Sequence, residues 1–187
     1  MSGSILNNKT RKRFFRYEIS GFFFTSAAAA ILHFLYEWSG KELLTALFSA
    51  VNESVWEHLK IFSLPYVVWG FVEIFCAGVP FKKLAASKVI GLYVMIITIP
   101  VFFYTYTGIF GKNVAAVDII SGFAITALSF VVSYRLTTAA PYIERYFTKA
   151  MLLFALYCAM TAFFTFAPPR IGLFKDPQTG GYGLDQP

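Results

Sequence analysis

Five apolar runs, at residues 17–38, 55–78, 88–110, 114–135 and 146–167, take up most of this 187-residue chain. A run of about 20 apolar residues, wound as a helix, matches the hydrocarbon thickness of a bilayer. The apolar residues come in blocks rather than in one-sided stripes, so lipid is the expected solvent for the outer faces. Lipid offers no partner to an unpaired backbone group, which makes each run a helix; a barrel would show short alternating segments instead. The expected fold class is therefore all-α, a polytopic integral membrane bundle of five transmembrane helices. Composition agrees: 14% of residues are charged, against about 25% in soluble domains.

The basic residues flank these runs unevenly. Lys9, Arg11, Lys12, Arg13, Arg16, Lys82, Lys83, Lys88, Arg135, Arg145 and Lys149 fall on one side, and Lys41, Lys60, Lys112, Arg170 and Lys175 on the other. The positive-inside rule then expects a cytoplasmic N-terminus, an external C-terminus and a multi-pass place in the cell membrane. Three segments follow: a basic cytoplasmic stretch (1–16), a five-helix membrane domain (17–167) and an external C-terminal loop or tail (168–187). The net charge of +6 does not point to nucleic acid, because the basic residues sit where topology signals belong. "NKTRKRFFRYEIS" resembles the n-region of a signal peptide, but no convincing cleavage site follows, so a retained first helix is expected. Cys76 and Cys158 fall inside apolar runs at different depths and are expected as free thiols.

With this topology Glu37, Glu42, Glu53, Glu57, Asp118, Asp176 and Asp185 gather on the outer side. His33 stands in the apolar turn "AILHFLYEW", one helical turn before Glu37, and a polar residue there faces protein or a wet cavity rather than lipid. "AVNESVWEHLK" places Glu53, Glu57, His58 and Lys60 at the start of the second helix, with Asn52 as its expected N-cap. The ligand or metal candidates are His33, Glu37, Glu53, Glu57 and His58. Lys60, Asp118, Arg170 and Glu73 are supporting candidates. Two imidazoles with one or two carboxylates suit a divalent metal such as zinc. A solvated polar cluster at the helix ends is the competing reading. Glu73, in "WGFVEIFCAG", is either a proton-binding group, a partner of Tyr93, Tyr134 or Arg135 inside the bundle, or an interfacial partner of Lys82 or Lys83.

Three further features bear on organisation. "KELLTALFSAV" has the spacing of a short helix lying on the interface. Pro65 and Pro100 fall inside runs and are expected either to kink their helices or to be tolerated there. The Pro- and Gly-rich tail "PPRIGLFKDPQTGGYGLDQP" is a loop, expected either to fold back over the outer cavity as a lid, with Leu173 and Phe174 inserted, or to lie disordered.

"HFLYEWSG" at residues 33–40, followed by "VNESVWEHLK" at 51–60, is similar to a signature of small uncharacterised multi-pass membrane proteins of bacteria. The resemblance implies the class, with the lipid bilayer as partner, and carries over no activity. Three functions stay open: a metalloprotein or enzyme acting at the outer leaflet, a binder or transporter of a small-molecule or lipid ligand, and a structural or assembly subunit of a membrane complex.

Overall fold

The computed structural model describes residues 6–184. Asp185 and the outermost parts of the two terminal segments lie outside the described residues. The chain forms long helices α1 (Asn8–Trp38), α3 (Val55–Cys76), α4 (Phe81–Phe110), α5 (Ala115–Ala139) and α6 (Phe147–Phe166), with a short α2 (Leu43–Ala46) between the first two. A 3-10 turn, Ile143–Tyr146, leads into α6, and another, Gly172–Phe174, lies in the tail. Among the described residues, five helices are long and apolar enough to cross a membrane.

Two helices begin earlier than the apolar runs alone suggest. α1 starts at Asn8, where the Asn7 side chain accepts a hydrogen bond from the Thr10 N–H at 2.8 Å. Its basic first turns are anchored by Phe14, which is fully buried and stacks on Tyr134. α4 starts at Phe81, directly after Pro80. α3 and α4 run unbroken past Pro65 and Pro100. Cys76 and Cys158 are free thiols.

α1, α3, α4 and α5 pack as a ring in that order, and α6 lies outside it against α4. Phe62, Tyr66 and Phe130 fill the middle of the ring. Close approach requires glycine at two points. A Cβ on Gly21 would collide with the Trp69 and Phe130 rings, and one on Gly91 with the Tyr66 hydroxyl and the Ser129 carbonyl. Consecutive long helices reverse direction, so the bundle has two unlike ends. The basic end carries Arg11, Arg13, Lys82 and Arg145. The histidine end carries the α1–α3 connection, the α4–α5 turn and the tail.

Large apolar side chains cover the outside of the bundle; Phe23, Phe75 and Ile97 are 64%, 83% and 60% exposed. At the histidine end the short helix α2 forms where its spacing predicts, with Leu43, Leu44 and the following Phe48 all exposed.

Candidate metal centre

The centre is built on the segment joining α2 to α3. Residues 49–52 are buried, and three anchors hold them. The Ala50 N–H donates to the Leu32 carbonyl of α1 at 3.3 Å. The Val51 N–H donates to Glu57 Oε2 at 3.1 Å, and the Ser54 N–H to Asn52 Oδ1 at 2.9 Å. The N-cap of α3 is thus Ser54, not Asn52. Its hydroxyl accepts from the Glu57 N–H at 3.4 Å. Ser54 and Glu57 have the spacing of a capping box. Here, however, the Glu57 carboxylate turns to the Val51 N–H, because Asn52 already satisfies Ser54.

This arrangement puts Glu53 outside the helix, pointing toward α1. Glu53 Oε2 lies 3.4 Å from His58 Nε2, and Oε1 lies 3.8 Å from His33 Nε2. The two imidazole rings stand 5.3 Å apart between centroids. One ligand atom from each of His33, Glu53 and His58 lies within 4.8 Å of the other two. Tetrahedral zinc, with bonds of about 2.0–2.2 Å, spaces its donors about 3.3 Å apart, so modest side-chain adjustment suffices for a shared ion.

The His58 ring is oriented from behind. Its Nδ1 lies 3.0 Å from the Ser54 carbonyl oxygen. A carbonyl only accepts, so Nδ1 carries the proton and a neutral ring turns the lone pair of Nε2 toward Glu53. Two acceptors then face each other, and a cation or a proton between them removes the conflict. A backbone carbonyl behind a histidine is also the usual support of a metal ligand.

Residues 5–184 match DUF6512, a family of unknown function. The chain belongs to that family. No curated protein and no solved structure matches it.

The other candidate residues of this DUF6512 chain lie apart from the trio. Glu37 is exposed and pairs with Lys41 at 3.5 Å. Glu57 and Lys60 form a buried pair at 2.7 Å, and Lys60 Nζ also donates to the Ala46 carbonyl at 2.8 Å and to Thr165 Oγ1 at 3.4 Å. Those contacts lock the loop and the last turn of α6 onto α3. Asp118 accepts from the Tyr106 hydroxyl at the α4–α5 turn. Arg170 is exposed. Glu73 is fully buried and pairs with Lys88, not with Tyr93, Tyr134, Arg135, Lys82 or Lys83. Lys60 and Lys88, counted among the flanking charges in the sequence, are both interior.

The tail folds back, but not as a lid over the trio. Phe174 is buried between Trp56 and Phe164, with ring centroids 5.1 and 5.0 Å away. Asp176 closes the turn behind it, accepting from the Gln178 N–H and the Thr179 hydroxyl. Trp56 and His58 point roughly 160° apart on a helix, so the tail covers the opposite side of α3 and leaves the His33–Glu53–His58 face open. His33, Glu53 and His58 keep 26%, 39% and 34% of their side-chain surface exposed.

Proposed function

We propose that this chain is a multi-pass protein of a bacterial cell membrane that binds one divalent transition metal, zinc by its donor set, on His33, Glu53 and His58. The five long apolar helices and their belt of exposed Phe, Leu and Ile support the membrane reading, since such a surface is out of place in water. The excess of Lys and Arg at the basic end supports a cytoplasmic N-terminus and an external histidine end.

The observation that carries the metal reading is the convergence of two imidazole nitrogens and one carboxylate from two helices and a loop. Two histidines and a glutamate, with one side open to solvent, leave room for an exogenous fourth ligand. Held by His33, Glu53 and His58, such an ion would supply Lewis acidity at the open side of the site. The chain itself supplies orientation: Ser54 sets the His58 ring, and Asn52 holds the turn from which Glu53 projects.

A site for a cationic or lipid-like ligand fits less well. Its counter-charges would be Glu37, Glu53 and Glu57, and two of these already hold Lys41 and Lys60.

The test is metal stoichiometry. Full-length protein purified in detergent and dialysed against zinc should retain about one ion per chain, by mass spectrometry of the metal. His33→Ala, Glu53→Gln and His58→Ala should each lose it while keeping the helical circular dichroism of the parent. Folded parent protein that holds no metal would overturn the reading.

A further inference from the structure

A second cluster of charge lies inside the ring, nearer the basic end. Glu18 of α1, Glu73 of α3 and Lys88 of α4 are 4%, 0% and 6% exposed. Lys88 Nζ lies 2.8 Å from Glu18 Oε2 and 2.5 Å from Glu73 Oε2. The surroundings are aromatic: the same ammonium stands 4.4 Å from the Phe130 ring centroid and 5.0 Å from that of Tyr66.

The groups facing these acids leave a charge unbalanced. Lys88 and Ser133 face Glu18; Lys88, Glu18 and Trp69 face Glu73. Tyr66, near both acids, directs its hydroxyl to the Lys88 carbonyl at 3.3 Å. Two carboxylates therefore share one ammonium. An uncompensated charge in such a place is costly and is relieved by protonation.

The two acids are not equivalent. Both oxygens of Glu18 are engaged, Oε1 by the Ser133 hydroxyl at 2.8 Å and Oε2 by Lys88. Each oxygen of that carboxylate thus has its own donor. Glu73 has the shared ammonium beside Oε2, and its Oε1 accepts no hydrogen bond. The neighbouring Trp69 indole N–H goes instead to the Tyr17 carbonyl at 2.9 Å.

We propose that Glu18, Lys88 and Glu73 form a proton-binding site, with Glu18 held as carboxylate, Lys88 as ammonium and Glu73 as the group that takes up and releases the proton. Uptake from solvent converts the Glu73 carboxylate to the acid and takes the cluster from a net charge of −1 to neutral. Because the three side chains come from three helices, the occupancy of this one proton is tied to the packing of α1, α3 and α4. The site is independent of the metal centre.

Infrared difference spectroscopy of the full-length protein in detergent reads this directly. At neutral pH the parent should show the carbonyl stretch of a protonated carboxylic acid, lost as pH is raised. Glu73→Gln should abolish the band and leave zinc stoichiometry unchanged. Glu18→Gln should also abolish it, since Glu73 then pairs one-to-one with Lys88. Lys88→Met, which leaves both acids without a counter-charge, should up to double it. Absence of the band from the parent at neutral pH, or its survival in a folded Glu73→Gln or Glu18→Gln variant, would overturn the proposal.

Discussion

Asn52 Nδ2 donates to the Gly183 carbonyl at 3.0 Å, joining the residue before Glu53 to the far end of the described chain. The same side chain receives the Ser54 N–H through Oδ1. One amide thus braces both the tail and the turn that presents Glu53. Replacing Asn52 with Ala should weaken zinc binding about tenfold, as loss of a supporting hydrogen bond typically does, without removing any ligand. Competition titration against a chromophoric chelator measures it; unchanged affinity would mean that Glu53 holds its place unaided.

Proton competition gives a second prediction. His33 and His58 must both be neutral to ligate a metal, so zinc affinity should fall as pH is lowered. Where both imidazoles are protonated in the free protein, the fall reaches about a hundredfold per pH unit. Where only one imidazole is protonated, the slope is about tenfold per unit. Glu37→Gln should leave the curve of the parent unaltered, because Glu37 pairs with Lys41 outside the trio.

Removing one partner of the buried Glu57–Lys60 pair leaves a charge without its counter-ion. Lys60→Met should destabilise the protein by about 3–5 kcal/mol, and the double variant Glu57→Gln/Lys60→Met by less. Denaturation in mixed detergent, followed by tryptophan fluorescence, compares the two. A double variant as unstable as the single one would shift the weight to the Ala46 and Thr165 contacts of Lys60.

Overpacking should also destabilise the ring, by less than charge removal, where α4 closes on α3 and α5. Gly91→Ala drives a methyl group into the Tyr66 hydroxyl and the Ser129 backbone, at a cost of about 1–3 kcal/mol. Gly108, with open space around it, should accept the same substitution with no loss of stability in that assay.

Phe174→Ala should free the tail. Loss of a buried phenylalanine costs about 3–5 kcal/mol in a core, and here that cost falls on docking of the tail against Trp56 and Phe164. Limited proteolysis should then cut between Arg170 and Lys175 at least tenfold faster, while the helical bundle stays intact.

The long helices were legible because an uninterrupted apolar run is a local property. Their early starts were not: Asn8–Arg16 and Phe81–Ser87 are too polar for a hydropathy reading, and packing of Phe14 and Leu84 extends them. His33, Glu53 and His58 could be nominated from the sequence, but which acid turned toward the histidines depended on the cap. The Ser54–Glu57 spacing carried that signal, and Asn52 obscured it by being an equally good capping residue. Lys60 and Lys88 looked like flanking charges because part of what encloses each lies far along the chain: Lys88 meets Glu18 across 70 residues, and Lys60, besides its near partner Glu57, meets Thr165 across 105. A Pro- and Gly-rich tail reads as a loop, and only the cleft between Trp56 and Phe164 explains where Phe174 goes.

Thr165, the third partner of Lys60, sits in the last turn of the last helix. Chains emerge from the ribosome N-terminus first. Glu57 and the Ala46 carbonyl are present when Lys60 is made, whereas Thr165 follows 105 residues later. The turn that carries Glu53 therefore gains this last contact only once α6 has been made. A truncated product lacking α6 keeps every proposed ligand but lacks the Thr165 contact of Lys60, so the turn is held by one partner fewer until α6 is in place.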